Sequence, residues 1–238
     1  MAHMRTAWRT FLREIDRDIV RDVGLVCAAV LVVGVSFGAI TVGDGLPAWL
    51  PVVLSVLVFA GASQFVFVGL LLAGGGVWAA VAAGLLVNAR HLPFGFVVGD
   101  LLGSGPLRRL IGCHLMVDES VAFALAQDGE LRRRIAYWAS GIALFLSWNV
   151  AVLIGAVAGT ALSDTGALGL DAAFPAVLLA LIVPSLRDRA TRRAAMVGVL
   201  VALAAAPFVP AGIPVLLALA GVAAGHDRAG ATVTGTRS

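Results

Sequence analysis

The chain has 238 residues, of which 60% are hydrophobic and 13% charged, and its mean hydropathy is +0.99. So few polar residues cannot cover a soluble globule of this length, which excludes a water-soluble enzyme or binding module. The net charge of +3 comes from seventeen arginines with no lysine, scattered between apolar runs, and gives no reason to expect nucleic acid as a partner.

Residues 1–22 come first. Arg5, Arg9, Arg13, Arg17 and Arg21 repeat every four residues beside Trp8, Phe11, Leu12, Ile15 and Ile19. This is the pattern of an amphipathic helix lying on anionic membrane lipid, or of a charged lead-in paired through Glu14–Arg17 and Asp18–Arg21. The apolar segment that opens at Val23 has no small-residue cleavage site at its end and reads as an uncleaved anchor. One transmembrane domain is expected over 23–225, followed by a short flexible tail at 226–238.

Crossing a bilayer takes about 20 apolar residues. Candidate spans run 23–42, 48–73, 76–99, 110–127, 135–160 and 172–186, then 194–207 and 211–225. The last two are separated by Pro207, Pro210, Gly212 and Pro214, which mark either a hairpin turn or a kink in one long span. The expectation is an all-α, polytopic transmembrane bundle of seven or eight spans, with discontinuities near 61–64 and 88–93.

With a cytoplasmic N-terminus, eight spans put the arginines at 5–21, 132–134, 187–193 and 228–237 on the cytoplasmic side, as the positive-inside bias requires. Only Arg108 and Arg109 fall outside. This alternation needs 110–127 to cross, despite His114, Asp118 and Glu119 within it.

Polar groups at membrane depth are the functional candidates. An arginine in lipid costs roughly 3 kcal/mol or more, so Arg90 must face protein, water or a counter-charge. Pro93 lacks a backbone donor and clashes with the Ala89 carbonyl, so the helix should break beside Arg90. Asn88 and His91, three apart, share a face and serve either as ligands or as interhelical hydrogen-bond glue. Ser63 either binds a ligand or bonds back to a carbonyl one turn earlier, and Gln64 offers an amide. His114 and Asp118, four apart, would share one helix face, where Asp118, Glu119 and His114 could carry a coupling proton. The alternative for Asp118 or Glu119 is an ion pair with Arg90. Trp148 and Asn149 read as packing and bridging groups. Four Gly-x-x-x-Gly pairs, at Gly34, Gly95, Gly155 and Gly221, signal close packing within the bundle or against a small subunit.

The order and spacing of four blocks resemble the AzlC family. These are Phe59-Ala60-Gly61-Ala62-Ser63-Gln64-Phe65, Leu86-Val87-Asn88-Ala89-Arg90-His91, Val117-Asp118-Glu119-Ser120 with Phe123-Ala124-Leu125-Ala126, and Gly169-Leu170-Asp171 with Phe174-Pro175-Ala176 and Leu181-Ile182-Val183-Pro184. The resemblance runs from about Gly34 to Gly225. It implies a multi-pass permease of the bacterial inner membrane that exports branched-chain amino acids (leucine, isoleucine, valine, with methionine or analogues), together with a small AzlD-like membrane subunit.

The residues fit that implication. A zwitterion held in low dielectric needs donors for its carboxylate, acceptors for its ammonium and an apolar wall, and Ser63, Gln64, Asn88, Arg90 and His91 supply the polar part. No metal cluster or nucleotide-binding motif is present, so no cofactor is expected and an electrochemical gradient must supply the energy. Two other readings remain: an intramembrane serine protease built on Ser63 with His91 or His114, and a channel or scaffold whose buried charges are structural. Cys27 and Cys113 read as small apolar residues rather than a disulfide.

Overall fold

The structure is a computed structural model that describes residues 17–161, 179, 183, 185–209 and 213–222. The expected amphipathic segment before Arg17, most of the 172–186 span, the fourth family block and the C-terminal tail lie outside the described residues. Helices account for nearly all of the rest. They are α1 (Arg17–Gly43), α2 (Trp49–Leu57), α3 (Gly61–Leu72), α4 (Val77–Asn88) and α5 (His91–Val98), which runs on into a 3-10 turn over Gly99–Leu102. Then come α6 (Pro106–His114), α7 (Asp118–Leu125), α8 (Glu130–Ala161), α9 (Arg189–Ala205) and α10 (Ile213–Leu217).

Among the described residues, three helical stretches are long and apolar enough to cross a membrane: Arg17–Gly43, Val77–Leu102, which is interrupted at Ala89–Arg90, and Glu130–Ala161. Large apolar side chains lie bare on their outer faces, Phe96 at 91% exposure being the extreme. That is tolerable in lipid and costly in water.

The chain divides into two compact units, Met1–Gln64 with Asn88–Asp171, and Phe65–Val87 with Ala172–Ser238. In the first, α1 packs along α8. Glycine makes the approach possible: a Cβ on Gly34 would sit 2.7 Å from that of Ala151, and one on Gly159 would sit 2.8 Å from the Ala39 carbonyl oxygen. Gly38 meets the backbone of Val152, and Gly155 that of Val35. Two of the four Gly-x-x-x-Gly pairs thus close on each other, the intramolecular use expected of them. Contacts climb both helices in the same sense, so α1 and α8 are parallel. Arg17 and Arg21 therefore share one end of the unit with Arg132, Arg133 and Arg134.

That basic end fixes the course of 99–125. Arg134 donates to the Asp100 carbonyl at 3.2 Å, Trp138 Nε1 donates to the Leu101 carbonyl at 3.2 Å, and the Arg108 guanidinium lies 5.4 Å from the centre of the Trp138 ring. From there α6 rises until Tyr137 donates its hydroxyl to the Gly112 carbonyl at 2.8 Å and Gly141 meets Leu115. At Leu115–Val117 the chain turns. Then α7 returns, placing Val121 and Ala124 against Val98, Leu101, Leu102 and Tyr137.

Helices of nine and eight residues span about 13 Å and 12 Å, less than half of a hydrocarbon core about 30 Å thick. The expectation that 110–127 crosses the membrane, with Arg108 and Arg109 opposite Arg132–Arg134, is therefore corrected. The segment is a re-entrant hairpin that begins and ends at the basic end. Ser120 holds its turn, accepting from the Val117 N–H at 3.0 Å while its hydroxyl lies 2.9 and 3.1 Å from the carbonyls of Val117 and Leu115.

A second interrupted helix approaches from the other end. Ser55 donates to Asn149 Oδ1 at 2.7 Å, and four residues on, the Phe59 ring reaches Phe145, so α2 descends toward the middle of α8. It stops there. Gly61 and Gln64 then step back to the level of Trp148. The discontinuity expected near 61–64 falls just before it, at Val58–Ala60, and the one expected near 88–93 falls at Ala89–Arg90.

In the second unit, Leu70 of α3 packs on Ala80 and Ala83 of α4. The α9 helix is capped by Asp188, whose carboxylate accepts from the Thr191 N–H at 2.7 Å and is held below the usual carboxylate range by that bond. Gly198 meets Ala218 and Gly221 meets Ala194, so α9 and the 213–222 segment run antiparallel as a hairpin rather than as one kinked span.

Candidate functional site

Three helix breaks of the first unit converge on one cavity. Val58, Phe59 and Ala60 reach it from the α2–α3 break, and Asn88 and His91 from either side of the α4–α5 break. Cys113, His114 and Met116 come from the tip of the re-entrant hairpin. Its volume is about 190 Å3. A cavity of about 150 Å3 holds a molecule the size of benzene, so this one suits a small aliphatic metabolite.

One wall is aromatic. The Phe59 ring meets Phe145 edge-on at 5.0 Å between centroids and tilts over His114 at 6.1 Å, while His114 meets Phe145 at 5.6 Å. Phe59 is 5% exposed and has φ +41°, the only described non-glycine residue in the left-handed region. For a residue with a Cβ that conformation costs about 1–2 kcal/mol. The surroundings must hold it in place.

The lining also carries polar groups. Asn88 Oδ1 is buried and has no hydrogen-bond partner among the described residues. Leaving such an acceptor unmade costs about 1–3 kcal/mol, and Asn88 is one of the residues that line the cavity. His91 Nδ1 lies 3.0 Å from the carbonyl oxygen of Asn88, which fixes the ring beside it, and Phe94 backs that ring edge-on at 5.9 Å. A protonated Nδ1 would leave Nε2 as an acceptor.

Arg90 lies at the α4–α5 break, and its Nη1 is 2.8 Å from Asp118 Oδ2. The pair ties that break to the first residue of α7, each side chain being 41% exposed. Glu119 follows in the same first turn, within the fields of Arg90, His91 and Asp118.

Of the residues singled out in the sequence, Asn88, His91 and His114 line the cavity, whereas Arg90 and Asp118 pair with each other. His114 and Asp118 do not share a helix face, because the chain breaks between them and ends α6 at one and starts α7 at the other. Gln64 is 1% exposed and held at both ends of its amide: Nε2 donates to the Leu54 carbonyl at 2.8 Å and Oε1 accepts from Trp148 Nε1 at 3.0 Å. It braces the break against α8. Ser63 is buried in the first turn of α3 and is not among the residues lining the cavity that holds His91 and His114. Phe59, Cys113 and Met116 escaped sequence reasoning, since apolar residues inside apolar runs carry no signal of their own.

This is a membrane-embedded helical unit with half-length helices meeting at a small, two-faced cavity. The family profile described as AzlC protein matches residues 25–162, more than half the chain and all of the cavity, and the chain belongs to the AzlC family. "Inner membrane protein YgaZ" of Escherichia coli (strain K12) is 30% identical over 164 residues, 63% of this chain and 65% of that protein, so the match spans slightly less than two thirds of YgaZ. "Branched-chain amino acid transport protein AzlC" of Bacillus subtilis (strain 168) is 25% identical over 202 residues, 82% of this chain and 78% of that protein. An "Uncharacterized membrane protein" of Helicobacter pylori (strain ATCC 700392 / 26695) is 24% identical over 176 residues, 73% of this chain and 76% of that protein. No solved structure matches the chain.

Proposed function

We propose that this chain is the permease of a secondary transporter that exports branched-chain amino acids across the bacterial inner membrane. The observation that carries the reading is the cavity itself. A buried, unsatisfied Asn88 Oδ1 stands beside His91 at a cavity that Phe59 and His114 also line, and the space is sized for a small aliphatic molecule. Acceptors on one side and apolar surface on the other are what an amino acid's ammonium and aliphatic side chain require. Arg90 adds carboxylate chemistry, since a guanidinium has five donors and Asp118 takes up at most two. Irregular backbone at membrane depth, lining a cavity, is also how many transporters hold substrate near the midplane. The Bacillus subtilis relative, named for branched-chain amino acid transport, supports the substrate class.

In this reading the N-terminus is cytoplasmic. Because α1 and α8 run parallel, a hairpin at 106–125 that does not cross leaves the basic clusters cytoplasmic only if one more segment before α8 also fails to cross; we take this to be 49–72, interrupted at Val58–Ala60, which leaves six spans. Arg108 and Arg109 then join Arg17, Arg21 and Arg132–Arg134 on the cytoplasmic side, and the exception to the positive-inside bias disappears. With Asp118 engaged by Arg90, Glu119 carries the coupling proton. A small AzlD-like subunit completes the transporter; Gly95 and Gly99, where an added Cβ would meet nothing within 4 Å, leave a face open to it.

Liposomes containing the chain with and without that subunit, loaded with labelled leucine and given an inward proton gradient, test the proposal. Efflux should accelerate and proceed against a leucine gradient. Release at the same rate as empty liposomes, with the subunit present, would contradict it.

A further inference from the structure

Phe59 is an unusual residue for the tip of a broken helix. Its left-handed backbone is one that glycine adopts freely, and Gly61 stands only two positions away. A bulky residue in this conformation raises the question of what its ring does there.

The ring is held from several sides. The Phe59 N–H reaches the Leu54 carbonyl at 3.4 Å, the acceptor that also takes the Val58 N–H and the Gln64 amide. Gln64 is in turn bound by Trp148 of α8. The break is therefore anchored to the longest helix of the unit, and the Phe59 ring is pinned between Phe145 of that helix and His114 of the re-entrant tip. Strain retained by such over-determined surroundings is the pattern of a functional position.

We propose that Phe59 determines which amino-acid side chains the cavity accepts. Its ring is the rigid apolar wall that an aliphatic side chain packs against while the ammonium lies toward Asn88 Oδ1, and it closes the space that an aromatic side chain would need. The proposal rests on the transport reading above and adds to it the residue that sets selectivity.

The test is competitive efflux of leucine, valine, methionine, phenylalanine and tryptophan from liposomes containing the wild-type chain, Phe59→Ala, Phe59→Gly or Phe59→Leu. The wild type should favour leucine. Phe59→Ala and Phe59→Gly should shift the kcat/KM ratio of phenylalanine to leucine upward by about tenfold or more, mainly through KM, as expected when a pocket gains the volume of several methylenes. Phe59→Leu, closer in volume, should shift it less and keeps the test open if the smaller variants do not fold. Glycine should also give a more heat-stable protein than alanine at this position, because only glycine adopts the left-handed backbone without strain. Folded variants with wild-type selectivity, or inactive toward every amino acid, would overturn the role of Phe59 while leaving the transport reading intact. A wild type that moves none of the five would overturn the reading itself.

Discussion

Arg90 and Asp118 meet at 2.8 Å between two interruptions of the fold, the α4–α5 break and the start of α7. The pair joins a half-helix that opens one side of the cavity to the re-entrant hairpin that closes another. Among the described residues, it also neutralises the one arginine of the first unit that lies outside the basic end. In a low-dielectric setting the loss of one partner costs more than the loss of both, since it strands a charge.

Arg90→Gln and Asp118→Asn should therefore each lower the yield of folded protein, by the equivalent of roughly 3 kcal/mol if the site is dry and by about 1 kcal/mol or less if water screens it. The double variant should recover folded protein. Size-exclusion profiles and thermal melts of the three in detergent check this; a double variant no better than the worse single one would show that the pair is not the element holding the breaks together.

Re-entry of 106–125 makes a topological prediction. Single cysteines replacing Arg109 and Arg133, in a chain lacking Cys27 and Cys113, should both react with an impermeant maleimide from the cytoplasmic side only. Labelling from opposite sides would restore 110–127 as a crossing helix.

Much of this organisation was legible beforehand. Helix breaks near Gly61 and Arg90 followed from small residues and Pro93, and Asn88, Arg90 and Asp118 stood out as polar groups in apolar sequence. Gly34, Gly38, Gly155 and Gly159 marked close packing, although not that α1 and α8 would meet through them. The re-entrant hairpin was hidden because its two helices are contiguous and together as long as a span, so hydropathy and length alone suit a crossing. What reverses the chain is local: extended Val117, bonded back to Ser120, and contacts to α8 that only the fold supplies. Phe59 was hidden for a similar reason, because the break it sits in is anchored through Gln64 to Trp148, 84 residues further along the chain.

The brace predicts its own phenotype. Gln64→Ala strands the buried Trp148 indole N–H and takes one of three donors from the Leu54 carbonyl, and should cost about 1–3 kcal/mol. A melt should show it as a lower Tm, with cavity selectivity loosened as Phe59 loses its anchor. An unchanged Tm would mean that water or a rotated side chain replaces the amide.

Glycine placement gives a contrast within one chain. Gly38→Ala and Gly155→Ala force a methyl into the backbone of the facing helix and should destabilise α1–α8 packing severely, whereas Gly95→Ala meets only open space and should leave the isolated chain unaffected. Parallel melts of the three variants decide it; equal stability would place the α1–α8 contact elsewhere.

If the cavity where the breaks converge holds the transported amino acid, Cys113, which lines it, reports on that directly. In a Cys27→Ser chain reconstituted in liposomes, the rate of Cys113 modification by a small methanethiosulfonate reagent should fall several-fold in leucine at concentrations that saturate efflux, and stay unchanged in equimolar arginine. Modification at the same rate with and without leucine, in a preparation that demonstrably transports leucine, would contradict the account.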